Sequence, residues 1–194
     1  MNIKDIRRVG IIGGGPGGLM LGLLLQHQGF EVNIFEKAGL NVNTDRGGSL
    51  DIHDDSGQLP LQQAGIIDKF KAQARFDGED TRVLDKNGNV YYEALVDPQI
   101  EGGRPEIDRG ELCDIIFEQL KPETVVYDKA FKSLTHIDNE QIEVTFDDYS
   151  TRIFDFVIGS DGAFSKVRPY LANTDVEYNG CLLYTSPSPR DRQK

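Results

Sequence analysis

Apolar and polar positions along the chain alternate between two periods. Residues 7–12, with the apolar run Val9-Gly10-Ile11-Ile12, read as a buried strand. Residues 19–28 repeat at 3.6, with Leu19, Leu23 and Leu24 on one face, so a helix is expected there. Gly29 stops it. Glu31-Val32-Asn33-Ile34-Phe35-Glu36 then alternates as a second strand that closes on an acid. A glycine-rich turn, Gly13-Gly14-Gly15-Pro16-Gly17-Gly18, joins the first strand to the helix. Strand, glycine turn, helix and strand in that order define an α/β start.

The pattern continues with shorter elements. A polar, Gly-rich loop follows Glu36 and leads to a short strand over residues 50–53. Residues 59–70 read as one helix with Leu61, Ala64 and Ile67 on one side and Gly65 inside it. Residues 81–85 and 90–94 flank Asn87-Gly88, a strong hairpin signal. Asp108 is placed as an N-cap, with Glu111 completing a capping box, for a helix over 109–120 that buries Leu112, Ile115, Ile116 and Leu120. Pro122 is expected to end it. Short strands are expected at 124–127, 131–136, 142–146 and 152–156, the last three as a meander. Residues 154–159 run into Ser160-Asp161-Gly162, and a helix is expected over 165–171.

Composition narrows the partners. The chain has 194 residues and a net charge of −11, which disfavours nucleic-acid binding, because phosphate contacts need clustered Lys and Arg. No apolar run reaches bilayer length and no signal segment is read at the start, so a cytoplasmic location is the default expectation. Of the two cysteines, Cys113 falls in a helical pattern and is expected to act as a small buried hydrophobe. His27, His53 and His136 do not cluster in the sequence, and neither a metal spacing nor a Ser/His/Asp order is read. The stretch from 181 to 194 has no apolar period and resembles translated adapter DNA. It is expected to be non-native or disordered, with the coding sequence cut near Gly180.

Candidate chemistry sits on the first turn. Gly13, Gly15 and Gly18 fit the G-x-G-x-x-G spacing. The first glycine permits the tight strand exit, the second lets a pyrophosphate approach the backbone, and the third lets the helix pack close. The phosphates would meet the helix N-terminus, where unpaired N–H groups and the dipole favour negative charge. Glu36 lies about twenty residues beyond the glycines, where a ribose-binding carboxylate belongs. An acid there repels a 2′-phosphate, so FAD or NAD suits the site better than NADP.

Four features in order carry a family resemblance: the glycine turn with Glu36, Gly47-Gly48-Ser49-Leu50-Asp51, Pro105-Glu106-Ile107-Asp108-Arg109, and Gly159-Ser160-Asp161-Gly162. Together they resemble the class A flavin monooxygenases, and among those the tetracycline-inactivating enzymes most. The resemblance implies a Rossmann-like, glutathione-reductase-like FAD-binding fold with an added small β-sheet region, incomplete here. It implies one FAD-binding domain over residues 1–180, with the start of substrate-side strands around 81–105. It assigns Gly13, Gly15 and Gly18 to the FAD pyrophosphate, Glu36 to the ribose, and Asp51 and Arg109 to the flavin nucleotide. Asp161 and Gly162 are implied to lie near FAD and the nicotinamide cofactor. Arg46 is a candidate substitute for an NADPH-linked arginine where Thr44 now stands.

The implied activity is oxygen insertion into an aromatic or polycyclic small molecule, with the tetracycline type as one candidate, by a monomeric enzyme using FAD, NAD(P)H and O₂. Because the family's later flavin motif has no counterpart in this chain, weak FAD binding and little turnover are expected of it alone. A flavoprotein oxidoreductase without oxygen insertion and a non-catalytic dinucleotide-binding module are the alternatives.

Overall fold

The computed structural model describes residues 6–40, 48–76, 80–95, 103–137, 141–174 and 176–177. Its centre is a parallel sheet of four strands: β1 (Arg8–Ile12), β2 (Glu31–Phe35), β7 (Val125–Val126) and β11 (Phe156–Gly159). Their order is β11-β1-β2-β7, with Ile11 opposite Ile34 on one side and Ile158 on the other. The pleat splits the apolar residues between two faces. Val9, Ile11, Val32 and Ile34 face one core, and Ile12 and Phe35 the other.

Helices cover the first face. They are α1 (Pro16–His27), α2 (Gln58–Gln63), α3 (Ile67–Gln73) and α4 (Arg109–Phe117). Leu19, Leu23, Phe70, Ile115 and Ile116 fill this layer, and Cys113 is buried there as expected of a small hydrophobe. The second face carries an antiparallel meander of β8 (Phe131–His136), β9 (Ile142–Phe146) and β10 (Thr151–Phe154). Phe35 packs between Phe146 and Phe154, with ring centroids 4.5 and 5.7 Å away. Two small ladders complete the architecture. β3 (Ser49–Asp51) pairs antiparallel with β6 (Glu106–Asp108), and β4 (Thr81–Leu84) pairs with β5 (Val90–Ala94) around Asn87-Gly88.

Four expectations about the helices need correction. The helix over 59–70 is two helices. Gly65 has φ 73°, the Gly65 N–H donates to Gln62 O, and the Ile66 N–H donates to Leu61 O. These are the paired bonds of a left-handed C-terminal cap, so the glycine ends a helix instead of interrupting one. The same pair of bonds ends α1, where Gly29 and Phe30 donate to Gln26 and Leu25. The helix from Arg109 stops at Phe117, before Pro122, because its last turn tightens into i→i+3 bonds at Gln119 and Leu120. Leu120 still packs against the helical core. Residues 165–171 form a single 3₁₀ turn, Arg168–Tyr170, in which Pro169 supplies no N–H. The capping box at Asp108 and Glu111 is not made: α4 has no side-chain cap bond.

The strand candidate over 152–156 divides at Asp155. Residues before it complete the meander, and residues after it enter the central sheet beside β1. Asp155 accepts hydrogen bonds from the backbone N–H groups of Arg7 (3.0 Å) and Arg8 (2.8 Å) and from the Arg8 guanidinium (3.0 Å). Burial alone would raise its pKa, but these donors outweigh that and hold the carboxyl below its ordinary value. A folded-state pKa below the unfolded one contributes stability that is fully present above about pH 4 and lost as pH falls through the folded value. Asp155→Asn should therefore cost about 1–2 kcal/mol at pH 7. The difference from wild type should shrink in acid, measured as urea midpoints across pH 2–7. A constant difference would contradict this role.

Candidate cofactor site

The carboxyl end of β1 is where the strand order reverses, with β2 on one side and β11 on the other. In open α/β sheets such a switch point is the expected ligand crevice. A cavity of about 360 Å³ lies there, running from Gly13, Gly15 and Arg109 past Glu36 to Lys129 and Lys166.

The three glycines play separable parts. Gly13 has φ 110°, and a Cβ on it would overlap the Ser160 carbonyl. A Cβ on Gly18 would overlap the carbonyl oxygen of Gly13, so α1 can sit this close only without a side chain there. Gly15 differs. Its backbone is extended (φ −79°, ψ 178°), open to any residue, and among the described residues a Cβ would touch only the Arg109 guanidinium, at 3.4 Å. Two glycines are required by the protein's own packing. Among the described residues, no backbone atom crowds the third.

Gly15 is the N-cap of α1, with Pro16 in the first helical position and no acidic residue in the first turn. The first helical bond is Leu19 N–H to Gly15 O. The first-turn N–H groups before it have no intrahelical acceptor, which leaves the positive end of the helix dipole facing the cavity. Arg109 adds a full positive charge beside it. The arginine is held there because its N–H donates to Gly48 O (3.1 Å), one step past the Ser49–Asp108 rung of the β3–β6 ladder.

Glu36 is only 6 % exposed. One carboxylate oxygen accepts the Gly14 N–H (2.8 Å) and the other the Ala38 N–H (3.0 Å). A carboxylate oxygen carries two lone pairs, so it can take a ligand hydroxyl as well as a backbone N–H. The pairing of β2 with β7 continues past the acid, with the Glu36 backbone N–H donating to Val126 O and the Lys129 backbone N–H donating to Glu36 O. That extension carries Lys129 to the cavity wall, where its ammonium meets Asp148 and the Ser150 hydroxyl (2.9 Å). These bonds to Lys129 and Ser150 hold the Asp148 carboxyl well below the usual carboxylate range.

The structure brings Gly13, Gly15, Glu36, Arg109, Asp161 and Gly162 to one cavity, and Gly18 packs directly beneath it. The Asp161 carboxylate, however, is engaged in closing its own turn. It accepts from the Ser165 hydroxyl (2.6 Å) and from the N–H groups of Lys166 (2.7 Å) and Val167 (3.4 Å). Asp51 does not line the cavity; its half-exposed carboxylate lies 4.0 Å from Arg104. Arg46 and Thr44 fall outside the described residues. Sequence reasoning missed Lys129, Lys166 and Ser160. Only Ser160 had a signal, as the residue between the β11 strand end and Asp161-Gly162.

A switch-point cavity with a glycine cradle, a bare helix N-terminus and a ribose-distance acid defines a dinucleotide-binding protein. The chain belongs to the FAD binding domain family, whose model matches residues 7–180. It is 30% identical to a flavin-dependent monooxygenase from an unknown prokaryotic organism, over 91% of this chain and 46% of that protein. It is 26% identical to monooxygenase penA of Penicillium thymicola, over 94% and 44%. Among solved structures it is similar to tetracycline destructase Tet(55), with 28% identity and a TM-score of 0.68 over 87% of this chain and 41% of that one. The chain thus spans less than half the length of the relatives it matches. No helix among the described residues is long and apolar enough to cross a membrane.

Proposed function

We propose that this chain is the nucleotide-holding part of a monooxygenase that uses FAD, NAD(P)H and O₂ to oxygenate an aromatic or polycyclic small molecule. The observation that carries the cofactor assignment is the contrast among the glycines: Gly13 and Gly18 are closed by backbone, while Gly15 is open beside Arg109 and the α1 N-terminus. The residues fit an adenine dinucleotide. Gly15, the first-turn N–H groups and Arg109 would hold the pyrophosphate, and Glu36 would hold the ribose hydroxyls. Bound FAD would supply the redox and oxygen chemistry. The chain's own part is to bind and orient it, with Ser160 and Gly162 forming the wall from β11. The monooxygenase assignment and the tetracycline-like substrate class draw on the named relatives, not on side chains in this stretch.

The test is binding followed by turnover. The purified chain should quench FAD fluorescence saturably, and ADP should displace the flavin. Quenching that ADP cannot reverse would place FAD elsewhere and defeat the assignment. NAD(P)H oxidation with tetracycline or phenolic substrates should remain at background for this stretch alone. In a longer protein carrying it, oxygenated product should accumulate; peroxide release without product would instead favour an oxidoreductase that does not insert oxygen.

A further inference from the structure

We infer that Arg75 is a positioning residue that keeps the Asp108 carboxylate away from Arg109, so that the Arg109 charge is available to an anionic ligand. The inference rests on the cavity being the phosphate site proposed above.

Asp108 occupies the N-cap position of α4 with extended backbone (φ −65°, ψ 134°), yet its side chain makes no cap bond. An aspartate at that position normally turns over the first helical turn and accepts its N–H groups. Here Oδ1 accepts from the Arg75 guanidinium at 2.9 Å. The same guanidinium donates to the Ser49 hydroxyl (2.8 Å) and lies 3.8 Å from the Glu106 carboxylate. Arg75 is itself fixed by backbone: its N–H donates to Glu106 O (2.7 Å), and its carbonyl accepts the Glu106 N–H (2.9 Å). It therefore spans the ladder at the rung just before Arg109.

The consequence is electrostatic. Arg109 sits at the first position of α4, where a cation is unfavourable for the dipole. Among the described residues no carboxylate forms an ion pair with it. An Asp108 released onto the first turn of α4 would place a negative charge beside the guanidinium and compete with a ligand phosphate. Arg75 prevents this by holding and neutralising that carboxylate. The backbone bridge between residues 75 and 106 does not need the Arg75 side chain, so the ladder should survive its loss.

The experiment uses Arg75→Gln, Asp108→Asn and the double variant, with ADP and adenosine as calorimetric probes. Arg75→Gln should weaken ADP about three- to tenfold and leave adenosine unchanged, the size expected of one partly exposed charge interaction. The double variant should regain wild-type ADP affinity, because the released carboxylate is gone. Asp108→Asn alone should bind ADP at least as tightly as wild type. A double variant as weak as Arg75→Gln, or equal losses for ADP and adenosine, would show that Arg75 only braces the ladder and would overturn the inference. If Arg75→Gln does not fold, weaker ADP binding by Asp108→Asn overturns it, and undiminished binding supports it. Failure of the wild-type chain to bind ADP overturns the cavity assignment itself, and is seen before any variant is made.

Discussion

Gly18→Ala should lose about 3 kcal/mol or more of stability, or fail to accumulate as folded protein, while Gly15→Ala should be as stable as wild type. The alanine methyl at position 18 would overlap the backbone carbonyl of Gly13, and a backbone atom cannot move aside as a side-chain tip can. Relief would require α1 to lift from the sheet, exposing Leu19 and Leu23 from the core. At position 15 the methyl meets, among the described residues, only Arg109, whose long side chain can yield, and the backbone there suits alanine. Its cost should appear in binding, with FAD affinity reduced about tenfold or more, because the space lost is where a phosphate would approach the backbone. Thermal unfolding without ligand separates the two effects from flavin titration. A Gly15→Ala variant that unfolds early and binds normally would reverse the assignment of the two glycines.

Glu36→Gln should cost about 1–3 kcal/mol in stability and also weaken flavin binding, although the two side chains have the same shape. Each carboxylate oxygen accepts one backbone N–H, from Gly14 and from Ala38. A glutamine offers one oxygen and one NH₂, so one of those donors would face another donor in a buried site. The strained donor would be in the glycine turn or at the start of the following loop. Both outcomes disturb the cradle, so stability and affinity should fall together. Urea midpoints unchanged from wild type would show that the two hydrogen bonds are not structural.

The glycine turn was legible because several local signals coincide within 30 residues. The apolar runs fix two buried strands, the glycines fix the turn, and Gly29 caps the helix between them. Gly65 misled for a physical reason. A glycine inside a 3.6-period pattern is compatible with a tolerated interior residue or with a left-handed cap, and only the bonds to Gln62 and Leu61 decide it. Asp108 and Glu111 had the capping spacing, but a tertiary partner 33 residues away, Arg75, takes the aspartate. The sequence distance hides that competition. Lys129 was invisible for a similar cause. It reaches the cavity because a parallel pairing continues past the end of β2, and nothing in the local pattern marks how far a ladder runs. The boundary at Asp155 was blurred because two consecutive strands of similar composition belong to different sheets.

The junction at Asp155 also bears on how the chain is made. Strand β11 closes against β1, and Asp155 just before it holds Arg8, 147 residues earlier in the polypeptide. During synthesis the amino-terminal βαβ unit therefore emerges long before its neighbour exists, and one edge of its first strand stays open to any passing strand until Gly159 leaves the ribosome. Closing so long a loop is slow as well as late. The nascent chain thus passes through a stage in which chaperone shielding of that edge would favour a soluble product over aggregation.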